Sequence, residues 1–358
     1  MERVEKLYIH DLPDWPNFRW DHQRLSAPLA AVSQQQGRLI GHMEALGFQL
    51  RREATLQTLT TDVLKTSEIE GENLDPEQVR SAIARRLGMD IAGLKPAGRH
   101  VEGIVEMMLD ATSNYQEPLT AERLFAWHAA LFPTGRSALT KITVGAWRDD
   151  RGGPMQVVSG PVGRETVHYQ APIASRLERE MAAFLELFNK KEGIDPILKA
   201  ALAHLWFVTI HPFDDGNGRI ARAIADGQLA RSEDSAQRFY SMSSQIREER
   251  KAYYDTLEQT QSGTLDITPW MEWFLACLSR AIARAKETLG AILAKAKFWE
   301  ALRIVPLNAR QHLLINRLLD GFEGNLTTVK WAKIANCSHD TALRDIHDLI
   351  AKGVLIQN

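Results

Sequence analysis

Apolar residues recur at helical spacing over most of the chain. Leu25, Leu29, Val32, Leu39, Ile40 and Met43 fall near i, i+3, i+4, i+7 and predict a helix. Leu56, Leu59, Val63 and Leu64 repeat the pattern within Arg51 to Ile69. Asp75-Pro76-Glu77 marks another start, with Asp75 as N-cap and Pro76 as first helical residue. Amphipathic helices are predicted over 101–112 and 120–131, the second behind Thr120. Further helices are predicted over 173–189, 196–210, 217–231, 247–262 and from 269 to about 302. The helical period breaks between Gly145 and Pro172, a glycine- and proline-rich stretch. β-Prone pairs at Thr143-Val144, Val157-Val158 and Thr166-Val167 predict a hairpin in that region. Before the first helix, Pro13 and Pro16 oppose helix formation. That segment reads as an extended strap pinning Trp15, Phe18 and Trp20 to the body.

The last segment has its own rhythm. Pro306 interrupts a long helix, a second helix starts near Leu307, and a third is predicted over 329–335. Cys337-Ser338-His339-Asp340 forms a turn and cap before a helix over 341–352. Gly353 closes it, with Val354-Leu355-Ile356 behind as a short strand. That order is the order of a winged helix-turn-helix. The segment is only slightly more basic than acidic, and Asp340, Asp345 and Asp348 share a helix with Thr341, Arg344 and His347. DNA binding is therefore open but not favoured over protein contact.

Composition narrows the class without naming a chemistry. The 358 residues are 44% hydrophobic and 25% charged, with net charge −2, so a wholly basic nucleic-acid coat is unlike this chain. Cys277 and Cys337 make no disulfide framework and no zinc pattern. The first ten residues carry charges throughout and lack a signal-peptide core, so a cytoplasmic location is expected. The most apolar stretch, Ile197 to Ile210, contains Lys199 and His204 and falls short of the ~20 residues that cross a bilayer. It reads as a buried core helix, with His204 a satisfied core residue and no membrane association.

That helix leads into His211-Pro212-Phe213-Asp214-Asp215-Gly216-Asn217-Gly218-Arg219-Ile220-Ala221-Arg222. Turn formation accounts for the glycines but not for a histidine, acids and two arginines on one short segment. With a helix starting near Asn217, the amides of Gly216, Asn217 and Gly218 form an anion-binding end. Arg219 and Arg222 lie one turn apart and can hold phosphate oxygens. Asp215 offers a hard oxygen suited to Mg²⁺ on a nucleotide's phosphates, and His211 can accept a proton near neutral pH. No Walker loop and no kinase signature is present.

The segment resembles the Fic motif, H-P-F-x-[D/E]-G-N-G-R-x-x-R, at every specified position. The resemblance implies a mainly α fold: a helical core with a small β-hairpin flap, and a C-terminal winged helix. It implies AMP transfer from Mg-ATP to a Ser, Thr or Tyr hydroxyl of a target protein, and self-modification. His211 would be the base and Asp215 the Mg²⁺ ligand. Gly216, Asn217, Gly218, Arg219 and Arg222 would hold the phosphates. Phe213 would orient the loop, and Asp214 is given no role. Arg250 to Tyr254 resembles the segment beside the adenine, making Tyr253, Tyr254 and Gln261 candidates for that site. The alternative is a winged-helix DNA-binding regulator with a nucleotide-sensing or weakly active Fic domain.

Thr66-Ser67-Glu68-Ile69-Glu70-Gly71-Glu72-Asn73 resembles the Fic inhibitory helix, [S/T]-x-x-x-E-[G/N], here about residues 60–73. Thr66, Glu70, Gly71 and Asn73 match it, while Glu68 and Glu72 read as bystanders. Glu70 would pair with Arg222 and take the γ-phosphate position. Some relatives use this Glu in removing AMP, so the direction of the reaction stays open. The resulting division is 1–90 with the inhibitory helix, 91–300 as catalytic core and 301–358 as winged helix. Oligomeric state, including a homodimer, is left open.

Overall fold

The computed structural model describes residues 7–44, 48–89, 95–161, 164–191, 193–319, 322 and 324–356. The chain divides into two compact units, Met1–Glu287 and Thr288–Asn358. Both are built mainly of helices.

In the first unit, α1 (His22–Glu44) buries Leu25, Val32, Leu39 and Met43, the predicted stripe. Asp21 caps it by accepting from the amides of Gln23 and Arg24 at 2.9 and 3.0 Å. Next come α2 (Phe48–Ile69), α3 (Pro76–Arg86), α4 (Arg99–Ser113) and α5 (Ala121–Leu131). The Asp75 and Thr120 side chains accept from the amides of Glu77 and Arg123, so both predicted caps are in place. After the hairpins follow α6 (Leu177–Asn189), α7 (Pro196–Ile210), α8 (Asn217–Glu233), α9 (Met242–Glu248), α10 (Arg250–Gln261) and α11 (Thr268–Ala301), whose last residues belong to the second unit. Every residue of α7 from Ile197 to Ile210 is buried, which accounts for its almost continuous hydrophobicity. Its neighbours α6 and α8 pack against it, and α2 lies along α8, α3 and α9.

The strap behaves as its prolines demand. The Trp15 indole N–H donates to Glu180 at 2.7 Å, and Trp15 and Phe18 meet the edge of Trp206. The Arg19 backbone pairs with Leu265 and Ile267 at 2.8 Å.

The hairpin is antiparallel β3 (Gln156–Ser159) with β4 (Thr166–Gln170), Val157 opposite Tyr169 and Ser159 opposite Thr166. A smaller hairpin, β1 (Arg136–Ser137) with β2 (Thr140–Lys141), was not predicted. Two-residue strands are below the length at which alternation can be read. Thr143-Val144 is not a strand; the Thr143 amide donates to a side chain of the site described below.

In the second unit, α12 (Ala309–Leu319), α13 (Thr328–Ile334) and α14 (His339–Ala351) surround Trp331, with Leu314, Ile315, Ala342 and Leu349. The expected strand after Gly353 is not formed among the described residues. The amides of Val354 and Leu355 both turn back to the Leu349 carbonyl, so these residues finish the helix and pack on its core. No described helix is long and apolar enough to cross a membrane.

Candidate active site

Helix α7 stops at His211, which adopts a left-handed conformation (φ 52°) while its amide still donates to Phe207 at 2.9 Å. The chain then turns through residues 212–216 into α8. The turn is closed from inside by Asn217. Its carboxamide accepts from the Phe213 amide at 3.0 Å and donates to the Phe213 carbonyl at 2.8 Å. The Asn217 side chain thus shapes the loop, and only its backbone amide faces the helix end.

Phe213 is fully buried and carries the His128 ring stacked on it at 4.2 Å. His128 Nε2–H donates to the Asp215 carbonyl, and Nδ1 accepts from the Gly145 amide, both at 3.2 Å. Those two roles require the neutral ring. Burial enforces this by pulling its pKa down to about 4. The Thr143 amide donates to Asp214 at 2.8 Å, so the variable motif position ties the loop to the segment before the hairpin.

Arg148 holds the other side. It is 3% exposed. Its guanidinium donates to the carbonyls of His211 (2.8 Å) and Pro172 (2.5 Å) and to Asp150 (2.8 Å), while its amide donates to Pro212. The Tyr169 hydroxyl on β4 donates to Thr209 at 2.6 Å. The hairpin is therefore bonded directly to the end of α7.

His211 Nδ1–H donates to the Val208 carbonyl at 3.1 Å. That fixes the tautomer and leaves the Nε2 lone pair for a proton. Burial lowers the His211 pKa to about 4, so the ring is neutral and ready to accept at pH 7. Beside it, Asp215 accepts from the Ser137 hydroxyl on β1 and from the Gly216 amide at 2.5 Å.

The start of α8 is an anion nest. Gly216 sits at φ 81°, where a Cβ would strain the backbone and meet Phe132 at 2.9 Å. Gly218 is needed for a different reason: a Cβ there would run into Glu70 Oε1. The Glu70 carboxylate therefore lies on the first turn of α8, at the positive end of the helix dipole. It accepts from Arg222 Nη2 at 2.6 Å. Arg222 is 2% exposed and also donates to the Thr66 hydroxyl (2.7 Å) and carbonyl (3.1 Å). Gly71 (φ 82°) then ends α2. Asn73 is exposed in the link to α3.

Glu72 is not a bystander. It accepts from Arg219 Nη1 at 3.2 Å and lies in close contact with His100 Nε2 on α4. The His100 contact, followed by the Arg219 charge, lowers the Glu72 pKa. His100 Nδ1 in turn donates to the Leu131 carbonyl at 3.3 Å. Arg219 is buried with its guanidinium 5.1 Å above the Phe132 ring. Glu68 remains local, paired with Lys65 one turn back and with Arg247 at 3.6 Å.

Tyr253 is buried, its hydroxyl 2.8 Å from His204 Nε2, and it packs on Trp270 and Trp273. His204 is thus the core residue expected, bonded through Nε2, although its buried Nδ1 has no hydrogen-bond partner among the described residues. Tyr253 and Tyr254 both lie close enough to Arg222 and Glu70 to feel their charges. Tyr254 is part-exposed, under Arg250 at 5.3 Å. Gln261 is buried and donates to Thr209 at 3.3 Å.

Among the guanidinium donors of the site, Arg222 Nη1 and Arg219 Nε have no hydrogen-bond partner among the described residues. Such groups are costly in a dry interior and point to an anionic ligand. For a cation the fit is partial. No group of three or more His, Cys, Asp or Glu side chains that could hold a metal is present among the described residues. Asp215 alone suits Mg²⁺ only where phosphate oxygens complete the shell, which is the usual way that ion is held.

Comparison with known proteins identifies the part of the chain that holds the site. Residues 118–229 match the Fic/DOC family, and that span contains the whole loop and nest. This chain carries a Fic domain. Residues 8–89, including α2, match a domain of unknown function, DUF4172. A protein adenylyltransferase Fic of Nematostella vectensis is 36% identical over 113 residues, 31% of this chain and 25% of that protein. One of Aedes aegypti is 25% identical over 223 residues, 60% of this chain and 39% of that protein. The chain thus spans well under half the length of these relatives. A Fic family protein from Desulfovibrio desulfuricans shares the fold, with TM-score 0.54, 21% identity, and 91% and 89% of the two chains covered. A Fic domain containing signaling protein from Bacteroides thetaiotaomicron does so at TM-score 0.53, 19% identity, covering 72% of this chain and 97% of that one.

Sequence reasoning placed Thr66, Glu70, His211, Asp215, Gly216, Asn217, Gly218, Arg219 and Arg222, and the structure brings these together. It missed His128, Ser137, Arg148, Glu72 and His100. Glu72 stood in a quoted motif, and its offset of two from Glu70 was the one available signal.

Proposed function

We propose that this chain is a protein adenylyltransferase that moves AMP from Mg-ATP to a Ser, Thr or Tyr hydroxyl of a target protein. The observation that carries the reading is the neutral His211, its Nε2 free, beside a helix end where Arg219 and Arg222 hold unpartnered donors. The target hydroxyl gives its proton to His211 as its oxygen attacks the α-phosphorus in line, and pyrophosphate leaves. The amides of Gly216 to Gly218 and the two arginines neutralise the phosphates, and Asp215 would hold Mg²⁺, which shields the charge of the leaving pyrophosphate. Positioning and charge neutralisation supply most of the rate. The β3–β4 hairpin, with Val158 and Val167 exposed, is suited to hold a target segment by strand pairing.

Glu70 would hold this site off. Its carboxylate rests where a terminal phosphate would meet Arg222 and the first turn of α8. The test is incubation of Glu70→Gly enzyme with each α-labelled nucleoside triphosphate and a cell lysate. Labelled lysate bands with ATP are expected, and no labelled lysate band with His211→Ala in the same background. Transfer to lysate proteins that persists without His211 would overturn the base assignment.

The reading as a DNA-binding regulator draws on one observation in the second unit. Asp345 is 4% exposed and bound to Arg310 and Asn308, and Asp348 binds Gln311 and Lys352. Arg344 and His347 are exposed on the same helix. A mobility-shift assay without nucleotide separates this reading from transfer.

A further inference from the structure

Outside the nest, one cluster has the geometry of an activated nucleophile. Ser159 Oγ lies 2.6 Å from His168 Nε2, and His168 Nδ1 lies 2.8 Å from Glu258 Oε2. The carboxylate can only accept there, so Nδ1 carries a proton, and in the neutral ring Nε2 is the atom that accepts from the serine hydroxyl. Nucleophile, base and orienting acid stand in line, the arrangement that activates a hydroxyl. Ser159 is exposed near the tip of the hairpin, and His168 and Glu258 are part-exposed. Two anchors tie this cluster to the site. Tyr169, next to His168, bonds Thr209 just before His211. Glu258 stands one turn after Tyr254, whose ring feels Glu70 and Arg222. An ordinary cross-strand serine needs no histidine, and a surface histidine needs no carboxylate from another helix.

We propose that Ser159 is an activated hydroxyl and the residue at which this chain takes AMP onto itself. This rests on the transferase reading above and deepens it. Ser159 Oγ forms a bond to the α-phosphorus of ATP. The bond from that phosphorus to the bridging oxygen breaks, and pyrophosphate leaves with the electron pair. The hydroxyl proton passes to His168 Nε2, and Glu258 pairs with the resulting imidazolium until the proton goes to water. An incoming target uses His211 for this purpose, whereas Ser159 brings its own base.

The experiment uses the full chain. Glu70→Gly protein is incubated with Mg²⁺ and α-labelled ATP beside a lysate, and its peptides are mapped by mass spectrometry. AMP is expected on the peptide carrying Ser159, and that label is lost in Ser159→Ala. Placing His168→Gly in the same background lowers labelling of Ser159 about 100-fold, and added imidazole restores part of it, which a purely structural role for His168 would not allow. Labelled lysate proteins with an unmodified Ser159 would overturn the inference and leave the transferase reading standing. If nothing is labelled, the transferase reading fails, and with it Ser159 as an AMP acceptor. A fluorophosphonate probe on the wild-type chain tests activation by itself. Reaction at Ser159 that requires His168 supports an activated hydroxyl, and reaction no faster than at other serines rejects it.

Discussion

Two arginines of α8 each meet a carboxylate from the end of α2, and the two pairs are built differently. Arg222 donates three bonds to α2, to Glu70 and twice to Thr66, from a position 2% exposed. Arg219 donates one, to Glu72, with the rest of its guanidinium over Phe132. Glu70 sits on the nest itself at Gly218, whereas Glu72 is divided between Arg219 and His100. The same ion pair is a fixed plug in one case and a side attachment in the other. Its setting decides this, since a carboxylate held by a buried, multiply bonded guanidinium cannot be removed without leaving the charge unpaired.

Glu70→Gly should have the largest effect. It removes a charge-assisted bond of about 1.5–3 kcal/mol, so AMP transfer should rise roughly 10- to 100-fold. Transfer equal to wild type at equal folding would break the comparison at its root. Thr66→Val comes next. It keeps shape but strands Arg222 Nε in the interior, at about 1–3 kcal/mol. The melting temperature should fall by a few degrees, with transfer rising by less than in Glu70→Gly. Glu72→Gln should have a smaller effect, a roughly two- to fivefold rise, because a pair whose carboxylate is partly solvated, with one bond to the arginine, contributes ~1 kcal/mol or less. A rise matching that of Glu70→Gly would show the two pairs to be equivalent.

The smallest expected effect is on pH dependence. The folded-state pKa of Glu72 is depressed, first by its bond to His100. Its stabilisation is therefore present above the ordinary glutamate range and lost as pH falls through the lowered folded value. The difference in melting temperature between wild type and Glu72→Gln should be visible at neutral pH and vanish in acid below the glutamate range. A difference that persists there would show that His100 is not what holds Glu72.

The comparison also explains what the sequence could reveal. The loop His211 to Arg222 was legible because its chemistry is contiguous, and Thr66 and Glu70 because they share one helix face. Helix stripes, the strap and the main hairpin were legible from periodicity and proline placement. Glu72 was not, because its meaning depends on Arg219 and His100, which come from two other helices. Arg148 and His128 escaped for the same reason, since each acts on backbone groups far away in the chain. The strand after Gly353 was an error of local reading. Its three apolar residues promised alternation or a run, but the amides of the first two, Val354 and Leu355, were already claimed by the last turn of α14.

Gly218 has a consequence for how the site answers its surroundings. Under the proposed inhibition, the room it leaves for Glu70 makes that carboxylate a built-in competitor for the phosphate seat. A tethered group competes at an effective concentration on the order of mM, without ever diffusing away. Any free polyphosphate must exceed that standing concentration to take the seat, so occupancy becomes a threshold set by the abundance of the ligand. Widening or narrowing the gap at one hydrogen atom would move that threshold without touching a single charge.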